Sequence, residues 1–352
     1  MSELPEIGKI SPEIFNELIF PRLGAKSRSV IVGPQHGVDV GIVEIGDKAV
    51  ALTTDPVFIV PEYGWERAAW FAIHILASDA VTSGLKPKYL SIDLNLPMEM
   101  TKEQLEIVWD TMHKECKKLG IAVVCGHTAR YENCHYPMVG GATVICVGEK
   151  DEYVTPKMAR SGDKIIITKG PAIEATGIFA AMFPKVTERE FGAEFSKRAQ
   201  EVFYKMSVVE DALTAVSVGV RDSGITSMHD ATECGIWGGL YEIAEAANLG
   251  VRVEKERIVV EKCVPEICKY FGIDPYASIS EGTLIMSCRE HKAEEVVKAL
   301  SRKGIASSIV GELVSPGHGM ILVERGKEKK LKHPVVDPFW QAFYNALKNT
   351  PS

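Results

Sequence analysis

The chain has 352 residues, 46% hydrophobic and 25% charged, with a formal net charge of −7. That length exceeds one typical core and points to two domains, and the composition is that of an ordinary globular protein. The acidic balance, broken only by a short cationic cluster at 325–333 that reads as a solvated turn, argues against nucleic acid as the main partner.

The N-terminal stretch "MSELPEIGKISPEIF" has no basic-then-apolar signal pattern, and no apolar run reaches membrane-spanning length. Eight scattered cysteines form no Cys-x-x-Cys pair. The expected setting is reducing and cytoplasmic, away from membranes. Each cysteine reads as a small buried apolar residue, with Cys125 the first exception to look for.

In chain order, "SVIVG" (29–33) and "AVALTTD" (49–55) read as strands, the second ending on an acid. A helix follows over 65–84. Its apolar stripe runs Trp65, Ala68, Ala72, Ile75, Leu76 and then reaches Asp79. "KYLSIDLNLP" (88–97) alternates like a strand. The helix at 101–120 opens on a capping box of Thr101 and Gln104. "IAVVCGHTA" reads as a strand running into a polar loop, and "GGATVICVGE" (140–149) closes this half. A polar linker with Pro156 and Gly162 follows. The second half begins with "KIIITKG", then helices near 196–219 and 235–249, the strand "GTLIMSC" (282–288), a helix at 291–303 and the strand "IASSIVGEL". Strands alternate with helices in both halves, so each half is expected to be a sheet with helices on one face.

Acids recur at special positions. Asp39 lies in the loop "QHGVDVG", Asp55 in "TTDP", and Asp79 on a stripe that otherwise faces the core. Singly, each has a structural explanation as a turn cap, an Asx-turn or a backbone hydrogen-bond acceptor. Together they suggest ligands for a hard cation such as Mg²⁺, which bridges substrate phosphates. In "MHDATECGIWGGL", Asp230 and Thr232 stand ahead of a helix whose first turns carry Gly235, Gly238 and Gly239. Those glycines admit either a phosphate at the positive helix end or a strand packed close against the helix; both readings stay open. Asp230 or Thr232 is expected to cap the helix. No Walker, Rossmann, Gly-x-Ser-x-Gly or His-Glu-x-x-His pattern occurs, and the nine histidines lack zinc spacing. His318 reads as a loop residue.

The order of segments resembles the AIR synthase (PurM) superfamily and, within it, hydrogenase-maturation factors of the HypE type. The resemblance rests on "GVDVGIV" (37–43), "TTDPVFIVP" (53–61), "ASDAVTSGLKPKYLS" (77–91), "VVCGHTA" (123–129), "ARSGDKIIITKGPAIEATGIFA" (159–180), "MHDATECGIWGGLYEIAEAANLGVRV" (228–253), "FGIDP" (271–275), "SEGTLIMS" (280–287) and "IASSIVGEL" (305–313), in family order over most of the chain. It implies a two-domain α/β (α+β) fold. Residues 1–155 would form an ATP-binding domain that pairs with its copy in a homodimer and closes a β-barrel. Residues 156–352 would form an α/β sandwich packed beside it.

The resemblance further implies ATP with Mg²⁺, phosphorylation of an amide-type oxygen, and maturation-protein partners. Asp39, Asp55 and Asp79 match the acidic metal–nucleotide positions, and Gly126, His127 and Thr128 the phosphate loop. Asp230, Thr232 and Gly235 match the second-domain motif, while Glu281 and Glu174 are candidates to move protons. Three departures stand out. The family's Asp-Asp is Val38-Asp39 here and its Gly-Asp-Thr is Gly126-His127-Thr128, which weakens the oxygen-rich set that Mg²⁺ prefers. The family's terminal Pro-Arg-Ile-Cys is "LKNTPS", and the hydroxyl of Ser352 cannot replace a thiolate nucleophile at neutral pH. Two functions follow: an ATP-dependent enzyme that does not use the C-terminal-cysteine route, or a nucleotide-binding regulatory or assembly protein that has lost catalysis.

Overall fold

The computed structural model describes residues 10–349, so residues 1–9 and 350–352, Ser352 among them, lie outside the described part. A helical turn α1 (Pro12–Ile14) runs on into a π turn and leads to the first sheet. That sheet comprises β1 (Val30–Val32), β2 (Gly41–Ile45), β3 (Lys48–Phe58), β4 (Pro87–Leu96), β5 (Ala122–Arg130) and β6 (Met138–Glu149), in the order β1-β2-β3-β6-β4-β5. Only β4 and β5 pair in parallel, because the helix α3 (Lys102–Leu119) crosses over between them. With α2 (Trp65–Val81), α3 covers one face, where Ala49, Ala51, Val57, Leu90, Ile92 and Val144 are buried. The other face is open. The capping box forms as expected: Thr101 Oγ1 accepts from Gln104 N and Gln104 Oε1 accepts from Thr101 N.

The second sheet contains β7 (Lys164–Thr168), β8 (Ile225–Asp230), β9 (Gly250–Glu254), β10 (Leu284–Cys288), β11 (Ser307–Val314), β12 (Met320–Glu324) and β13 (Lys327–Lys330), in the order β13-β12-β9-β11-β7-β10-β8. Seven helices accompany it: α4 (Ile173–Met182), α5 (Pro184–Phe191), α6 (Ala193–Glu201), α7 (Val209–Val216), α8 (Gly235–Ala246), α9 (Val264–Phe271) and α10 (Glu290–Arg302). A terminal helix α11 (Pro338–Asn349) ends the described chain.

Four local expectations are corrected. The second sheet is covered on both faces: Ile165, Ile167 and Ile285 pack with Ile236 and Leu240 of α8, while Ile166, Leu284 and Met286 join the core shared with α4 and the first domain. Continuous apolar strands such as "IIIT" are what burial on both sides requires. The helix expected over 196–219 is two helices, α6 and α7. Between them the backbone is held by non-helical partners: Val208 N donates to Ser78 Oγ and Ser207 O accepts from Lys169 Nζ. Asp55 sits inside β3 and not at its end, since pairing with β6 continues to Phe58. Residues 126–128 continue strand β5 and are not a loop, because Ile92, Asp93 and Leu94 of β4 pair with them.

The cysteines divide. Cys125 is exposed and Cys134 half-buried, while the other six are buried. The Cys125 thiol reaches Ser91 Oγ on the open face of the sheet. His318 is exposed in a 3-10 turn, and within the 325–333 cluster Lys327–Lys330 form the exposed strand β13 while Leu331 is buried. Among the described residues no helix is long and apolar enough to cross a membrane.

Candidate active site

Carboxylates from both domains meet where the two sheets adjoin. In β3, alternation puts Asp55 on the face that carries Ala51 and Val57, beneath α2. Asp79 comes down from the last turn of α2 and shares a hydrogen bond with Asp55. Thr53 Oγ1, one pleat along β3, donates to Asp79 Oδ2 at 3.2 Å. Burial, with Asp230, Asp55 and Asp39 as neighbours, holds the Asp79 carboxyl well above the usual carboxylate range. Asp39 arrives on the loop before β2, and Asp230 is the last residue of β8. The acids that were scattered in sequence are therefore one cluster.

Two glutamates lie behind Asp230. Glu174 stands in the first turn of α4, and its Oε2 accepts the backbone N–H of Glu281 at 2.9 Å. Burial, reinforced by neighbouring acids, raises Glu174 to about 8 although that hydrogen bond lowers it. Glu281 is fully buried and hydrogen-bonded to Asp230 and to Ser78. Burial, then the charges of Asp230 and Glu174, pushes it well above its ordinary value. Gly282 follows because its φ is +98° and a Cβ there would meet Lys205 O at 2.3 Å.

His229, which sequence reasoning passed over, is central. Its Nδ1 meets Asp39 Oδ2 at 3.0 Å and its Nε2 meets Glu242 Oε2 at 2.8 Å. Burial opposes a charged ring, yet these two carboxylates hold the imidazolium well above the usual histidine range. Glu242 also faces His333 Nε2 at 3.5 Å. The adjacency of His229 to Asp230 was the only sequence signal, and nothing local showed that β8 would carry it into the cleft.

The start of α8 differs from expectation. Neither Asp230 nor Thr232 caps it; the N-cap residue is Cys234, and Asp337 from the C-terminal segment accepts its N–H at 2.7 Å. Thr232 acts through its backbone carbonyl, which accepts from Gly235 and Ser280. Gly235 has φ +55°, and a Cβ there would meet Ser278 O at 2.4 Å. At Gly239 a Cβ would meet Ile285 Cδ1 at 2.7 Å. At Gly239 the close neighbour belongs to strand β10, which is the packing reading; at Gly235 it is the backbone of the turn at 276–278, which is not a strand.

Gly126, His127 and Thr128 do not lie with the carboxylates. Asp55 pairs with Ala142, Ala142 with Ile92, and Ile92 with Gly126, which places that residue three strand spacings away, about 14 Å. His127 instead hydrogen-bonds Tyr131 Oη. Val38 is half-buried against the core and supplies no carboxylate. Among the described residues, the side chains whose ligand atoms come within 4.8 Å of one another are Asp39, His229 and Asp230, while Asp55 and Asp79 adjoin them through the Asp79 carboxyl, raised first by burial and then by its acidic neighbours.

Residues 37–150 match the family model "AIR synthase related protein, N-terminal domain", and residues 160–324 match "AIR synthase related protein, C-terminal domain". The chain belongs to the AIR synthase-related family. Within that family it is 24% identical to a putative hydrogenase expression/formation protein of Methanocaldococcus jannaschii, covering 94% of this chain and 96% of the relative. It is also 24% identical to the carbamoyl dehydratase HypE of Escherichia coli K12, covering 84% and 85%. Among solved structures, a HypE–HypF complex aligns with a TM-score of 0.69 at 19% identity, covering 91% of this chain and 99% of that one. HypE in complex with ATP aligns with a TM-score of 0.65 at 21% identity, covering 94% and 97%. At these identities the structural likeness establishes the two-domain fold of this AIR synthase-related protein.

Proposed function

We propose that this AIR synthase-related protein is a HypE-like, ATP-dependent enzyme that phosphorylates an amide- or carbamoyl-type oxygen. The observation that carries the reading is the convergence of Asp79 with Asp55, Asp39 and Asp230 from opposite domains. Asp39, Asp55 and Asp79 would hold Mg²⁺, with Asp230 facing them across the cleft. Bound there, the ion would offset the negative charge of a triphosphate. The γ-phosphoryl group passes to the amide oxygen and ADP leaves; expulsion of phosphate then removes that oxygen, and the N–H protons must be taken up. Glu174, raised to about 8, is poised to exchange a proton near neutrality. Glu281 orients Glu174 through its backbone N–H.

The same reading includes a homodimer. Every residue from Ala122 to Thr128 of the edge strand β5 is exposed, Val123 at 44% and Val124 at 53%. An apolar, unpaired sheet edge favours pairing with a second copy. Such pairing would close the open face of the first sheet and give residues 126–128 a neighbouring protomer to act on. A maturation protein is the partner class that the HypE–HypF complex suggests.

Val38 favours the second reading, a nucleotide-binding regulatory protein without turnover, because a half-buried valine replaces one oxygen donor. Phosphate release from ATP and Mg²⁺, alongside a nucleotide thermal-shift assay, separates the two. Catalysis predicts turnover that falls at least about 100-fold in Asp79→Asn. The regulatory reading predicts a thermal shift without phosphate release.

A further inference from the structure

We propose that Asp39, His229 and Asp230 form a binding site for a divalent first-row transition ion. The site shares Asp39 and Asp230 with the nucleotide cleft proposed above and rests on that reading for its use, but not for its geometry. One potential ligand atom from each of the three residues lies within 4.8 Å of the other two. Asp39 is contributed by the first domain, and His229 and Asp230 by the end of β8.

The surroundings of His229 are those of a metal ligand. Glu242 Oε2 holds Nε2 at 2.8 Å, which fixes the ring with Nδ1 aimed at Asp39; the ion takes the place of the Nδ1 proton, which is released to solvent. Metal-binding imidazoles generally donate their other N–H to a carboxylate in this way, so that the ring stays oriented and its free nitrogen more basic. Glu242 lies outside the donor set and is itself steadied by His333. The loop bearing Asp39 is seated on the same helix: Gly37 has φ +69°, and a Cβ there would lie 2.7 Å from Glu242 O. Any larger residue would push Asp39 away from the imidazole.

The donor types decide the class of ion. Mg²⁺ favours six oxygens and dehydrates reluctantly, whereas imidazole suits Zn²⁺, Co²⁺, Ni²⁺ and Fe²⁺. One nitrogen with two carboxylates therefore shifts the preference of this corner from Mg²⁺ towards the transition series. The competing account is that His229 is a permanent counter-ion for Asp39 and Glu242 and binds nothing.

Co²⁺ is the probe, added without nucleotide to the full chain after chelator treatment and followed by its visible d–d absorption and by calorimetry. The site predicts one equivalent bound at least about 10-fold more tightly than Mg²⁺, with Zn²⁺ displacing it. Glu242→Gln should weaken Co²⁺ about 10–100-fold and leave Mg²⁺ affinity unchanged, and His229→Gln should abolish the d–d spectrum. Equal affinities for Co²⁺ and Mg²⁺ in the unaltered protein, a comparison that needs no variant to fold, would overturn the proposal in favour of the counter-ion. Because no nucleotide is present, this result is independent of ATP turnover, and either can fail alone.

Discussion

Glu174 Oε2 accepts the backbone N–H of Glu281 at 2.9 Å, which ties the first turn of α4 to the turn before β10. Burial raises Glu174 to about 8 from an ordinary 4.5. The folded state therefore keeps a proton that the unfolded chain releases above pH 4.5, and stability must fall as pH rises through that window. We expect a contribution of up to about 1.4 kcal/mol per pH unit between pH 4.5 and 8, absent in Glu174→Gln. Urea unfolding of both proteins across that range measures it; parallel curves would remove Glu174 from the account.

Asp79→Asn should stabilise the protein in the absence of metal. The amide keeps an acceptor for Thr53 Oγ1 and replaces a carboxyl whose charged form is disfavoured first by burial and then by Asp230, Asp55 and Asp39. A gain at pH 8 is expected, shrinking as pH falls to where the native carboxyl is protonated in both states. Chemical denaturation with chelator present reads it directly.

Asp337→Ala should cost about 1–2 kcal/mol. Its carboxylate accepts the N–H of Cys234 at the start of α8 and that of Phe339 at the start of α11. Hydrogen exchange should quicken at both helix starts together. Loss of protection at α11 alone would mean that the α8 contact is incidental.

Gly235→Ala should destabilise more than Gly238→Ala. At 235 the new Cβ meets backbone, Ser278 O at 2.4 Å, with φ at +55°. At 238 the nearest atoms are Cys234 Cβ at 2.8 Å and Glu233 O at 3.1 Å, a looser fit, and the backbone there is not in the left-handed region. The difference should exceed about 1 kcal/mol in paired thermal melts.

Val124→Glu on the edge strand β5 should convert a dimer to a monomer while leaving the fold intact. Val124 is 53% exposed in the single chain, and a charge on an edge strand blocks pairing. Light scattering after size exclusion decides it, and an unaltered dimer would place the interface elsewhere.

Much of the architecture was legible because its causes are local. Alternation along β3, the capping box of Thr101 and Gln104, and the apolar stripe of α2 each depend on residues within a turn or a pleat of one another. Asp79 was visible for the same reason, as a charge interrupting an apolar stripe. The buried second sheet was harder, since runs such as "IIIT" show that a strand is covered without showing by what.

Residue identity and short-range pattern singled out Asp39, Asp55, Asp79 and Asp230, while the resemblance of segments in order supplied the fold family and, through it, Glu174 and Glu281. Their partners were settled in the folded chain alone. His229 meets Asp39 across 190 positions and Asp337 meets Cys234 across 103. Contacts over such separations leave no periodic trace, because they arise from how two sheets pack and not from the chain's own geometry. That packing sets the capping of α8, the orientation of His229, and the burial and acidic neighbours that raise Asp79.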